Sequence, residues 1–248
     1  MPDTVGTRAK WATIIPSTNT VVEHDFWAMK PRGITFHAGR MFIRQPNIRS
    51  NADFEDLVVQ IRESLERAIK DIMTCEPDYL VMGISVESFW GGLERAREYI
   101  KSLEDMTGLK VATGADACRR AAEVLNLKKI ALVTPYQPVG DDQVVNYFKE
   151  IGVETVRVRG LKAPSATGIA AIDEPTLIRT LRDELDGDDI DGIFQAGTNM
   201  SMVRLADEAE RWLGKPVVAI NAATMWHALR DNGFTDQMDG FGSLLAKY

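Results

Sequence analysis

Short apolar runs alternate with longer amphipathic stretches along the whole chain. The runs predict strands over residues 11–15, 34–40, 79–82, 110–112, 129–134, 154–160, 192–195 and 217–220. The stretches between them predict helices over 54–75, 91–106, 115–125, 141–151, 174–185, 202–213 and 224–232, with a further one beginning near 20–23. The clearest is 54–75, where Leu57, Val58, Ile61, Leu65, Ile69 and Ile72 recur at helical spacing and mark one apolar face. Regular strand–helix alternation predicts an α/β protein with parallel sheets covered by helices on both faces.

Sheets of this kind bind ligands beyond the carboxyl ends of their strands, where loops lead into helices. Four predicted strands end there in small or hydroxyl-bearing residues: Ser17-Thr18-Asn19, Gly83-Ile84-Ser85, Thr134-Pro135-Tyr136 and Gly197-Thr198-Asn199. A fifth, 217–220, runs into Asn221-Ala222-Ala223-Thr224. A site is therefore expected on this edge. The strand–loop–helix order recurs in each half, with a turn at 113–116 as the junction.

At 248 residues the chain suffices for one large α/β domain or two small ones sharing a core. A net charge of -7 supplies no basic stripe for a nucleic-acid backbone, so no nucleic-acid partner is expected. It leaves a small anionic substrate open, because local donors decide such binding. No apolar run predicts a membrane span or a signal peptide, so no membrane partner is expected. Cys75 and Cys118 share no metal-ligand spacing and are expected to be reduced, in a bacterial-type cytoplasm. His24, His37 and His227 show no metal-like spacing either, and there is no dinucleotide or Walker loop. No metal or cofactor is expected.

Each polar loop has two readings. Ser, Thr and Asn are preferred helix caps, and the same groups with free backbone amides make a carboxylate cradle. Glu87, beside the Phe89–Trp90 pair, is either a proton donor with a raised pKa or a solvated first-turn acid. Asp116 is either a further acid or the cap of the helix after residue 113. Phe89 and Trp90 fall close enough to a loop to line a pocket.

Taken together, Pro16-Ser17-Thr18-Asn19-Thr20, Met82-Gly83-Ile84-Ser85, Thr134-Pro135-Tyr136 and Gly197-Thr198-Asn199 resemble the ligand loops of the aspartate/glutamate racemase superfamily. The nearest resemblance is to its maleate cis-trans isomerase and arylmalonate decarboxylase branch, which also includes the ectoine-utilisation proteins. The resemblance implies two Rossmann-like lobes with parallel sheets, pseudo-twofold related, with the active site in the cleft between them. It implies a first lobe of residues 1–112 plus 221–248 and a second of 113–220. It further implies cofactor-free chemistry at a carbon next to a carboxylate, through an enediolate stabilised by a ring of donors. Substrate-binding roles fall on Ser17, Thr18, Asn19, Gly83, Ile84, Thr134, Gly197, Thr198 and Asn199.

Many members of that superfamily carry a catalytic cysteine at one or both of the positions held here by Gly83 and Gly197. Without a thiol, racemisation and isomerisation lose their bases or nucleophile. Decarboxylation demands least: an apolar pocket, a donor cradle and one proton source. The expected reading is a decarboxylase-like enzyme on a small carboxylate or dicarboxylate, with Tyr136, Ser85, Glu87 and Asp116 as the candidate catalytic residues. A maleate-type isomerase or racemase is the alternative, and a carboxylate-binding protein without chemistry is a third. A homo-oligomer is expected.

Overall fold

The computed structural model describes residues 3–248. Eight strands form two four-stranded parallel sheets. The first holds β1 (Ala9–Pro16), β2 (Ile34–Met41), β3 (Tyr79–Met82) and β4 (Val111–Ala112), in the order β2-β1-β3-β4. The second holds β5 (Lys129–Thr134), β6 (Glu154–Gly160), β7 (Gly192–Gln195) and β8 (Val217–Ala219), in the order β6-β5-β7-β8. The second sheet thus repeats the order of the first, and the molecule has two lobes of one design. All eight predicted strands form.

The inner strands β3 and β7 are buried at every residue, as befits parallel strands covered on both faces. The edge strand β6 carries Glu154, Arg157 and Arg159, whose charges discourage pairing with another chain. The first core is built around Trp11, which meets Phe36 edge-on at 5.6 Å between ring centroids and also touches Tyr79 and Phe234. A second aromatic run joins the lobes. Phe89 packs on Tyr147 at 5.3 Å and on Phe148 at 6.3 Å, and Phe148 packs on Phe194 of β7 at 5.0 Å.

The helices are α1 (Val22–Met29), α2 (Asn51–Met73), α3 (Val86–Phe89), α4 (Gly92–Thr107), α5 (Gly114–Val124), α6 (Pro138–Glu150), α7 (Glu174–Arg179), α8 (Val203–Leu213), α9 (Ile220–Asp231) and α10 (Ser243–Lys247). Side chains cap several of them: Ser50 accepts from the Asp53 amide, Thr113 from Asp116 and Asp173 from Thr176. Asp116 is therefore not a cap, since Thr113 takes that place. The stretch expected as one helix over 174–185 is α7 followed by a wider π turn, Thr180–Leu185. The elements α3, α10 and a 3-10 turn at Gly168–Ala171 are too short to show a period in sequence.

One expectation changes function as well as boundaries. Asn221-Ala222-Ala223-Thr224 is not a loop but the first turn of α9, which leaves β8 directly. Residues 220–229 are all buried, because α9 packs against α1, α5, α10 and the β4 and β8 strand ends. A helix covered all round has no polar face, so its sequence lacks the amphipathic stripe that marks a helix start. No helix among the described residues is long and apolar enough to cross a membrane.

Neither cysteine lies at the carboxyl edge of a sheet. Cys118 is fully buried on α5, and burial raises its thiol pKa far above the ordinary value. Cys75 is partly exposed just beyond α2. Iodoacetamide should label Cys75 alone in the native protein and reach Cys118 only in denaturant. Equal labelling of the two in native buffer, read by intact mass, would contradict this placement of α5.

Candidate active site

The loops after β1, β3, β5 and β7 meet between the two lobes. Together they enclose a cavity of about 50 Å³. Thr18 and Asn19 enter it from the first loop, Ile84 and Ser85 from the second, Pro135 and Tyr136 from the third, and Gly197, Thr198 and Asn199 from the fourth. The remaining wall is apolar. Phe54, Leu57 and Ile61 come from the first turns of α2, Val86 from α3, and Ala166 and Ile169 from the segment after β6.

Hydrogen bonds across the lobes set the polar end of this cavity. The Ser85 Oγ and Tyr136 hydroxyls pair at 2.7 Å. Thr198 Oγ1 donates to the Gly83 carbonyl at 3.1 Å and receives the Asn19 amide at 3.4 Å. Asn199 accepts from the Thr20 amide at 2.9 Å and donates to the Ala166 carbonyl at 2.9 Å. Among the described residues, none accepts from the backbone amides of Ile84, Ser85, Thr198 or Asn199. These amides and the Ser85–Tyr136 pair are the donors available to an anion.

The capping and cradle readings of the sequence are both realised, by different atoms. The Asn19 carbonyl oxygen satisfies the amides of Val21 and Val22 at 3.0 and 2.9 Å, while its amide nitrogen turns to Thr198. Ser85 does no capping: it stands before α3 with its hydroxyl on Tyr136. Burial raises the Tyr136 pKa above the usual phenol range, although the Ser85 bond opposes this, so the phenol keeps its proton near neutrality.

Several expected residues stand elsewhere. Ser17 is exposed, and its Oγ accepts from the Ile43 amide at 3.0 Å, which ties down the chain after β2. Gly83 stands behind the wall, its amide on the Ile14 carbonyl at 2.8 Å. Thr134 also faces away. Its hydroxyl accepts from the Tyr136 amide at 3.0 Å and donates to Asp141, so it shapes the turn that presents Tyr136. Glu87 turns back to Arg62 at 2.8 Å, leaving its second oxygen buried without a partner. Burial raises the Glu87 pKa and Arg62 only partly offsets it.

Asp116 lies in a separate groove between α4, α5 and α6. Burial alone would raise its pKa, but His227 at 3.2 Å and Arg119 outweigh that and hold it down to about 2. Arg120 donates to His227 Nδ1 at 2.6 Å, which leaves the Nε2 proton for Asp116. Phe89 and Trp90 do not line the cavity either; Phe89 is in the inter-lobe aromatic run and Trp90 stacks behind Phe54 at 6.3 Å.

Sequence reasoning missed the apolar wall. The stripe on α2 marked Leu57 and Ile61 as buried, without telling pocket from core. Ala166 and Ile169 lie in a stretch with no periodicity, and only the inter-lobe contacts bring them in. There the Ile48 amide donates to the Pro164 carbonyl at 3.0 Å and the Ala166 amide to the Pro46 carbonyl at 2.7 Å.

Both glycines at the expected thiol positions sit where a side chain has no room. A Cβ on Gly83 would collide with Ile15 and approach Val22 to 2.9 Å. A Cβ on Gly197 would stand 2.5 Å from the Pro135 ring. Gly83→Ala and Gly197→Ala should each destabilise the fold by about 1–3 kcal/mol through overpacking, measured by denaturant unfolding. Unchanged midpoints would show that the space is there.

Asp141 gives a pH prediction. Burial, with Asp142 nearby, pushes its pKa up to about 6 despite the Thr134 bond. A carboxyl raised on folding contributes stability that is full below its unfolded value and lost as pH rises through about 6. Asp141→Asn, which still accepts from Thr134, should therefore raise Tm at pH 8. The gain should vanish below pH 4. A gain of equal size at both pH values would overturn this.

The family model of arylmalonate decarboxylase matches residues 12–245. The chain is 29% identical over 246 residues to a maleate isomerase of Pseudomonas putida, covering 94% of this chain and 95% of that one. It is 26% identical over 166 residues to the arylmalonate decarboxylase of Bordetella bronchiseptica, covering 66% of this chain and 69% of that one. Among solved structures, a Nocardia farcinica maleate cis-trans isomerase mutant with a covalently bound succinylcysteine intermediate superposes with a TM-score of 0.88 at 22% identity, covering 96% of this chain and 98% of that one. An arylmalonate decarboxylase superposes at 0.74 and 21% identity, covering 95% and 98%. With the family model spanning nearly its whole length, the chain belongs to the arylmalonate decarboxylase family.

Proposed function

We propose that this protein is a cofactor-independent decarboxylase of malonate-type acids, working through an enediolate. One observation carries the reading. The donors gather at one end of the cavity, the rest of its wall is apolar, and Tyr136 is the one ionisable side chain among the described lining residues. The amides of Ile84, Ser85 and Thr198 hold one carboxylate, and the Tyr136 hydroxyl, backed by Ser85, keeps its proton for the carbon. The second carboxylate then faces Leu57, Ile61 and Val86, where nothing compensates its charge.

Breaking the bond to that carboxylate releases carbon dioxide and moves the electron pair into the held carboxylate. The donors stabilise the resulting enediolate, since they are aimed where negative charge grows. Tyr136 gives its proton to the carbon and recovers one from solvent through Ser85. The net change is loss of carbon dioxide and gain of one proton. Glu87 and Asp116 have no part in this scheme, being committed to Arg62 and to Arg119 and His227.

The maleate isomerase relatives support an alternative, cis-trans isomerisation. The named relative with a succinylcysteine intermediate uses a thiol, and here Cys75 and Cys118 both lie off the cavity. That favours decarboxylation. The same reading places the enzyme in the cytoplasm, which its two unpaired cysteines support.

The test is carbon dioxide release from 2-phenylmalonate and 2-methylmalonate, alongside conversion of maleate to fumarate. The parent should consume a malonate, and Tyr136→Phe should lower kcat by about 10²–10⁴-fold while KM changes little. Conversion of maleate alone would favour the isomerase. Tight binding of malonates with no turnover would favour a binding protein.

A further inference from the structure

We propose that Asp25 is a positioning residue of this site, acting through Asn221 to fix the Thr198 backbone; the catalytic part of the proposal rests on the reading above. Asp25 is 4% exposed on α1, and Asn221 is 1% exposed in the first turn of α9. The Asn221 amide nitrogen donates to Asp25 Oδ2 at 2.8 Å and to the Thr198 carbonyl at 3.0 Å. Two acceptors on one nitrogen set the orientation of the amide, since a flip would press its oxygen against both. The set orientation leaves Asn221 Oδ1 buried and unpartnered. Such a group is unfavourable in a fold and calls for a reason.

The reason lies at Thr198. Its hydroxyl is already committed to Gly83 and Asn19, and its carbonyl to Asn221, so three elements hold the residue. What remains without a partner among the described residues is its amide, on a residue that lines the cavity. A carboxyl is a poor choice for mere filling here. The basic side chain beside Asp25 is the largely exposed His24, whose Nδ1 stands 3.2 Å from Oδ1. Burial raises the Asp25 pKa, as it does for a carboxyl lacking a buried cation.

The second lobe repeats the device. Asp25 is the fourth residue of α1, which follows β1, and Asp141 is the fourth residue of α6, which follows β5. Asp141 holds Thr134 and hence the turn carrying Tyr136. In each lobe, then, a carboxyl on the helix after the first strand, buried at Asp25 and half-buried at Asp141, is tied toward a loop that lines the cavity, through Asn221 in one case and directly to Thr134 in the other.

The experiment compares Asp25→Asn, Asp25→Leu and Asn221→Ala by amide correlation spectra and by kinetics. Asp25→Leu and Asn221→Ala should displace the Thr198 amide resonance, whereas Asp25→Asn, which keeps an acceptor oxygen, should leave it near the parent position. On a malonate substrate kcat should fall by about 10–100-fold in the first two, with KM within about twofold. The Asp25→Leu, Asn221→Ala double variant should be no slower than Asn221→Ala alone, as expected of residues acting in series. An unmoved Thr198 resonance in folded Asp25→Leu, or additive losses in the double variant, overturns the proposal. Should Asp25→Leu fail to fold, an unmoved Thr198 resonance in Asn221→Ala does so. The spectra need no substrate, so a parent that decarboxylates nothing counts against the proposed function and not against this inference.

Discussion

The structure depends on one constraint: the polar ends of two parallel sheets are buried against each other, and each group there needs a partner from the opposite lobe. Thr198 reaches Gly83 and Asn19, Asn199 reaches Thr20 and Thr18, and Ser85 reaches Tyr136. Each bond contributes only about 0.5–1.5 kcal/mol net, yet leaving one unmade costs about 1–3 kcal/mol. The lobes are therefore locked in one mutual arrangement by their polar loops as well as by the Phe89–Phe148–Phe194 run. Among the described residues, the groups left over after this mutual satisfaction include the backbone amides of Ile84, Ser85, Thr198 and Asn199, all on residues that line the cavity.

Among the described residues no acid or thiol lines the cavity, and the same closeness accounts for it. Packed loops leave no space beside Gly83 or Gly197, where Ile15 and Pro135 already stand. The carboxyls nearest the loops are turned outward or sideways: Glu87 to Arg62, Asp141 to Thr134, Asp25 to Asn221. The cavity thus combines strong hydrogen-bond donation with an apolar wall, a setting in which a carboxylate is tolerated at one end and destabilised elsewhere.

Membership of the arylmalonate decarboxylase family and the overlap with maleate isomerases fit this geometry. Both relatives' lobes superpose on this chain over nearly its whole length. A fold of this kind is a frame for donors; reaction type follows from the few side chains placed among them.

Much of this was legible in the sequence. Apolar runs such as 79–82 and 192–195 are strands because parallel strands buried on both faces are apolar throughout, and the resemblance of the four loops supplied the common edge. Asn19, Ser85, Tyr136, Thr198 and Asn199, which line the cavity, were placed on that edge because hydroxyls and amides at strand ends are a local pattern. Tertiary structure decided what local pattern cannot carry. Ser17 and Thr134 look like cradle residues but point away, because side-chain direction at a turn follows from neighbouring backbone such as Ile43 and Tyr136. Glu87 and Asp116 looked like free acids until Arg62 on α2 and His227 on α9, each distant in sequence, claimed them. Asn221 sat in an expected loop, because a helix buried on every side shows no stripe, and its link from Asp25 to Thr198 exists only when α1, α9 and the β7 loop meet.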